Sequence, residues 1–97
     1  MSLDDLVLQI KRYQPEKIIL FGSFAVGKQT PDSDIDIAVI KKTDKSYHDR
    51  LIELRRLVKT TSPIDFFVFT PEELRKLAGK NSFVAEIVAT GKVIYGQ

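Results

Sequence analysis

Three aspartates, Asp34, Asp36 and Asp65, and one Gly22-Ser23 step are the residues of this sequence whose type and spacing point to chemistry. Asp34 and Asp36 lie two apart at the start of the apolar run Ile35 to Ile40, so an extended backbone sends both carboxylates to the same side. Asp65 is the single charge in Ile64 to Phe69. A carboxylate at a buried strand position costs several kcal/mol unless a positive charge compensates it. No arginine is embedded beside these acids, so the reading they favour is a cage for divalent cations. The plainer reading, a solvated turn for Pro31 to Asp34 and a strand-end hydrogen bond for Asp65, explains each acid alone but not their repetition. Gly22 and Ser23 follow the apolar run Ile18 to Phe21. They can open a helical turn whose free N–H groups and hydroxyl face an anion such as phosphate.

Elements of regular structure must bring these groups together. Ser2 with Asp5 resembles a capping box, and Leu3, Leu6, Val7, Ile10 and Tyr13 recur at helical spacing, which predicts a first helix ending before Pro15. Lys17 to Phe21 reads as a strand, Ser23 to about Val26 as a short helix, and Asp34 to Ile40 as a central strand covered on both faces. From Asp44 or Ser46 a longer helix presents Tyr47, Leu51, Leu54, Leu57 and Val58 on one face. A third strand spans Ile64 to Phe69. Thr70-Pro71-Glu72-Glu73 starts a helix closing near Gly79, Asn81 or Ser82 caps another through Thr90, and Lys92 to Tyr95 closes the pattern as a strand. The expected fold class is α/β (α+β), a small mixed sheet packed with helices, in a single domain over residues 1–97.

Composition narrows the function. At 97 residues and 43% hydrophobic content the chain has room for one core. Its 15 basic and 13 acidic residues leave a net charge of +2, which predicts neither direct nucleic-acid binding nor membrane attachment. Without cysteine, and with His48 alone on a predicted helix, a metal site must use oxygen ligands, which suits a hard cation such as magnesium. The first residues are acidic where a secretory leader is basic, and no apolar run approaches a membrane span, so a cytoplasmic location is expected.

Two other motifs fail. Asp32, Asp34 and Asp36 imitate the start of a calcium loop, but Ile37 stands in the glycine place and Thr43 in the glutamate place. Gly22 to Lys28 matches Gly-x-x-x-x-Gly-Lys, but Gln29 lacks the hydroxyl that ligates magnesium and Thr30-Pro31 prevents the long helix that must follow.

Gly22-Ser23, ten residues, then Asp34-Ile35-Asp36 resembles the Gly-Ser-x10-Asp-x-Asp signature of the DNA polymerase beta-like nucleotidyltransferases. The chain as a whole is similar to the smallest branch, the minimal nucleotidyltransferases, which place a third acid on a later strand, where Asp65 falls. The resemblance implies transfer of a nucleoside monophosphate, AMP from ATP, to a hydroxyl. In that scheme Asp34, Asp36 and Asp65 are catalytic, with two Mg2+ ions on Asp34 and Asp36 and Asp65 completing one ion's site, and Gly22 and Ser23 hold the triphosphate tail. Members often carry arginine where this chain has Val26, so a basic contact near the phosphates is missing from the motif. The resemblance also extends to antitoxins of HEPN toxin pairs, implying a HEPN-domain partner modified on a tyrosine. Two alternatives stay open: an antitoxin that masks its partner without catalysis, and a small-molecule nucleotidyltransferase of the aminoglycoside-modifying kind. A homodimer is a further way to complete the acceptor site.

Overall fold

The computed structural model describes residues 2–30 and 32–96. Strands β1 (Lys17–Phe21), β2 (Ile35–Ile40), β3 (Ile64–Phe69) and β4 (Lys92–Tyr95) form one sheet in the order β3-β2-β1-β4. β1 is antiparallel to β2 and to β4, whereas β2 and β3 run parallel, with helix α2 (Tyr47–Leu57) making the crossover between them. Helix α1 (Leu3–Lys11) precedes the sheet, and α3 (Pro71–Ala78) and α4 (Ser82–Thr90) lie between β3 and β4. Among the described residues no helix is long and apolar enough to cross a membrane.

Local sequence signals explain most element boundaries. The Ser2 and Asp5 side chains cap α1 reciprocally, and the Thr70 and Glu73 side chains do the same for α3, with Pro71 in the first turn. The Asn81 side chain accepts from the Val84 N–H at the start of α4. β2 begins one residue later than expected. Asp34 lies outside the strand, and the Ile35 N–H donating to the Pro63 carbonyl at 3.1 Å marks the first link to the segment that leads into β3.

Alternation along the strands divides the core into two layers. Ile18, Leu20, Ile37, Val39, Ile64, Phe66 and Val68 meet Leu6 and Ile10 of α1, Leu54 of α2 and Val58 on one face. Ile19, Phe21, Ala38, Ile40 and Phe69 meet Val84 and Ile87 of α4 on the other, with Leu74 and Leu77 of α3 against them. β2 is covered on both faces, as its unbroken apolar run required. Its first two residues are the exception, being only half buried, and Asp36 is one of them.

The apolar face of α2 contains a residue its sequence pattern did not announce. Arg50 is 6% exposed. Its guanidinium donates to both carboxylate oxygens of Glu73, at 2.7 and 3.3 Å, and its Nε donates to the Lys45 carbonyl at 2.9 Å. The Arg50 hydrogen bond is the main cause holding the Glu73 carboxyl below its usual range. A carboxylate with a lowered pKa stabilises the fold above the unfolded-state value, and that contribution fades as pH falls through the folded-state value. Glu73→Gln also weakens the α3 cap. It is expected to cost about 2 kcal/mol at neutral pH, discounted because Glu73 is partly exposed. Urea denaturation checks this, with the gap from wild type closing as the pH is taken down through the carboxylate range.

Candidate active site

The acids and the Gly-Ser step gather at one end of the sheet. β1 ends there while β2 and β3 begin, because β1 runs antiparallel to both. In the register, Phe21 faces Asp36 across one side of β2 and Asp65 faces Asp36 across the other. Phe21, Asp36 and Asp65 therefore form one row across three strands, on the face that α4 covers further in.

Gly22 opens a single 3-10 turn, Gly22–Phe24, in place of the slightly longer helix the sequence suggests, and among the described residues no helix follows directly on Lys28. Its φ is +74°, and a Cβ built on it would stand 2.2 Å from Asp36 Oδ2. Two independent constraints thus require glycine: the left-handed backbone and the approach of the Asp36 carboxylate. Ser23, next along the turn, is half buried.

Burial raises the Asp36 carboxyl above its ordinary value; the neighbouring charges of Asp65 and Asp34, and a side-chain hydrogen bond to Asp65, push it the same way. Like charges held this close disfavour one another's ionisation, so the pair presents stored repulsion that a cation would relieve. Asp34 and Asp65 are exposed. Among the described residues no three potential ligands converge into a closed metal cage. The structure brings Asp36 and Asp65 side by side, and Asp34 stands further out, in an adjacent cleft that it shares with Asp65. The donors are oxygen throughout, and their mutual repulsion fits a hard divalent cation.

Two clefts meet at this row. The first, about 320 Å³, is lined by Phe21, Gly22, Asp36, Asp65, Phe67, Phe83, Glu86 and Ile87. Among its lining residues is an aromatic cluster in which the Phe83 ring stands 5.2 Å from Phe67 and 5.7 Å from Phe21, edge-on, Phe83 as a whole being 44% exposed. The second, about 340 Å³, holds Asp34, Asp65, Arg55, Thr60 and Ser62. No motif in the sequence marks Phe83, Glu86 or Arg55 as a site residue. Phe83, Glu86 and Ile87 do recur at helical spacing, a signal for one helix face, but nothing local says that this face overhangs Asp36.

Known proteins resemble this chain in sequence and in fold. The family model described as Polymerase beta, Nucleotidyltransferase matches residues 6–97. A Methanocaldococcus jannaschii protein named "Putative protein adenylyltransferase" is 37% identical over 82 residues, covering 82% of this chain and 78% of that one. A crystal structure described as a "putative nucleotidyltransferase" from Sulfolobus solfataricus shares the fold with a TM-score of 0.67 and 21% identity, over 96% of this chain and 76% of the other. Another, described as a toxin-antitoxin with AMP-PNP, aligns over 99% of this chain and 75% of its own with a TM-score of 0.63 and 25% identity. With the family's model spanning nearly the whole sequence, the chain belongs to the polymerase beta nucleotidyltransferase family and is a nucleotidyltransferase.

Proposed function

We propose that this chain transfers AMP from ATP to a tyrosine hydroxyl of a HEPN-domain partner protein, as the antitoxin of a toxin-antitoxin pair. The observation that carries the reading is the row at the sheet end, where Gly22 lies against Asp36 and Asp36 against Asp65. A glycine-opened turn that can accept a phosphate lies beside an acidic pair, with no side chain of Gly22 between them. The name of the M. jannaschii relative, a protein adenylyltransferase, and the toxin-antitoxin description of a structural neighbour support the acceptor class and the partner.

In this reading Asp34, Asp36 and Asp65 hold Mg2+, two ions in all, which supply positive charge to the phosphate oxygens as charge develops on them. The protein's own groups do the positioning. The Gly22 and Ser23 turn holds the triphosphate tail through backbone N–H groups and the Ser23 hydroxyl. The acceptor oxygen attacks the α-phosphorus, a new oxygen–phosphorus bond forms, and the bond from that phosphorus to the oxygen bridging the α- and β-phosphates breaks. Pyrophosphate leaves, and the acceptor proton passes to a carboxylate, with Asp65 at the outer end of the row placed to take it.

The test is to incubate the protein with ATP, magnesium and a purified HEPN-domain partner and weigh both by intact mass spectrometry. An added AMP on the partner's tyrosine, absent without magnesium, is the expected result. A partner that is neutralised but unmodified, equally well by Asp34→Asn, Asp36→Asn protein, would favour masking instead.

A further inference from the structure

The cleft on the α4 face extends past the row that ends in it. Beyond Gly22, Asp36 and Asp65 it is lined by Phe67 of β3 and by Phe83 and Glu86 of α4, and the transfer scheme uses none of these three. Phe83 stands edge-on to Phe21 and to Phe67, so neither ring lies flat on it, and at 44% exposed it offers ring surface to a flat ligand. Glu86 is exposed and makes no ion pair among the described residues. The charges that act on the Asp36 carboxyl are those of Asp65 and Asp34, so Glu86 stands apart from the acid pair. No basic side chain is among the residues lining this cleft.

Resting on the proposed transfer, the occupant follows from what is attached to the reacting phosphate. In that scheme the α-phosphate lies at Asp36 and Asp65 and the tail at the Gly22 turn. The nucleoside is then the part of ATP left to enter a cleft that shares all three residues. The lining suits it. A planar base stacks on an aromatic side chain. Carboxylates without a basic partner turn away a further phosphate or an acidic peptide. An ionised carboxylate accepts hydrogen bonds and donates none, so Glu86 matches an edge that carries an amine and opposes one that carries a carbonyl. A tyrosine of the acceptor protein would fit the apolar lining too, but its one hydroxyl has to lie at the phosphorus, which leaves Glu86 nothing to accept. We propose that the α4 cleft is the nucleobase site, with Phe83 stacking on the adenine ring and Glu86 accepting from its exocyclic amine. Phe83 separates a nucleotide from a bare triphosphate, and Glu86 separates an amine-bearing purine from an oxo purine.

The experiment titrates ATP, inosine triphosphate and inorganic tripolyphosphate into the full chain by calorimetry, with magnesium and no partner protein. Inosine triphosphate carries a carbonyl where adenine carries the amine, and tripolyphosphate carries no base. Wild type is expected to bind ATP about fivefold more tightly than inosine triphosphate, the scale of one hydrogen bond at an exposed carboxylate. Glu86→Gln can both accept and donate, so it should bring the two nucleotides close to equal. Phe83→Leu keeps an apolar side chain against Phe21 and Phe67 but removes the aromatic face, and should weaken both nucleotides by about fivefold to tenfold. Tripolyphosphate should bind both variants as it binds wild type, which also shows that they are folded. Equal binding of ATP and inosine triphosphate by wild type overturns the proposal. So does a Phe83→Leu protein that binds ATP as wild type does, or one that shows only a raised KM for the acceptor protein, which would give the cleft to the acceptor. If wild type and Asp36→Asn bind ATP alike, the nucleotide site is wrong and the base site falls with it. If Asp36→Asn loses ATP while Phe83→Leu and Glu86→Gln behave as wild type, the nucleotide site stands and the base proposal alone fails.

Discussion

Asp36→Asn is expected to reduce nucleotidyl transfer by roughly a thousandfold or more while leaving the protein folded and slightly more stable. The two effects have one cause. Asp36 is held next to Asp65, partly shielded from water, so its ionised form is unfavourable in the folded chain and its carboxyl is raised. A group whose pKa is raised on folding binds more protons in the folded state, so its contribution to stability falls as pH rises from the unfolded-state value through the folded one. Above that window the repulsion is fully present. Asparagine keeps the shape and removes the charge, so the gain is about 0.5–1 kcal/mol at neutral pH, the scale of a partly solvated charge pair. In a domain of this size that corresponds to a rise of a few degrees in Tm. Magnesium should raise the Tm of wild type by mass action and that of Asp36→Asn much less. Thermal unfolding with and without magnesium, beside a transfer assay, tests both halves. A variant that loses activity by unfolding would contradict this account.

Gly22→Ala is expected to separate activity from stability in a different way. The left-handed φ of +74° costs an alanine about 1–2 kcal/mol. The added Cβ would also meet the Asp36 Oδ2 at 2.2 Å. That oxygen is the end of a side chain that can rotate, so the clash is relieved by swinging the carboxylate away, and the fold survives. The row of the proposed site does not. Displacing a reacting group by about 1 Å costs on the order of a hundredfold in rate, and here the carboxylate moves toward Asp65, where repulsion already operates. The expected outcome is a transfer rate down by roughly two orders of magnitude with a stability loss of no more than about 2 kcal/mol. Ser23→Ala, on the same turn, lacks the clash and should be milder. A Gly22→Ala protein with full activity would show that the approach of Gly22 to Asp36 has no part in the reaction.

These expectations divide according to the range of the interactions beneath them. Ser2 with Asp5, Thr70 with Glu73 and Asn81 with Val84 act across three residues, so the helix starts they define were legible in the order of the residues. The strand Ile64–Phe69 was legible as a short apolar run, and Gly22-Ser23 with Asp34 and Asp36 as a spaced motif, because neither requires knowing what lies across the sheet. Arg50 shows where such reading stops. Its place on the apolar side of α2 makes sense only once α3 delivers Glu73 to it, 23 residues later in the chain.

The same division runs through the site. By itself the sequence determined the kinds of group present and their local settings: a glycine turn after a strand, two acids at the mouth of another, one acid in a third, and no thiol to compete with oxygen ligands. Tertiary structure alone decided that β2 and β3 pair in parallel with Asp36 opposite Asp65, that β1 lies on the other side and brings Gly22 against the same carboxylate, and that Phe83 and Glu86 of α4 and Arg55 of α2 stand beside them. Strand order and register depend on which apolar faces cover one another across the whole chain, an outcome that periodicities of two and 3.6 residues do not encode.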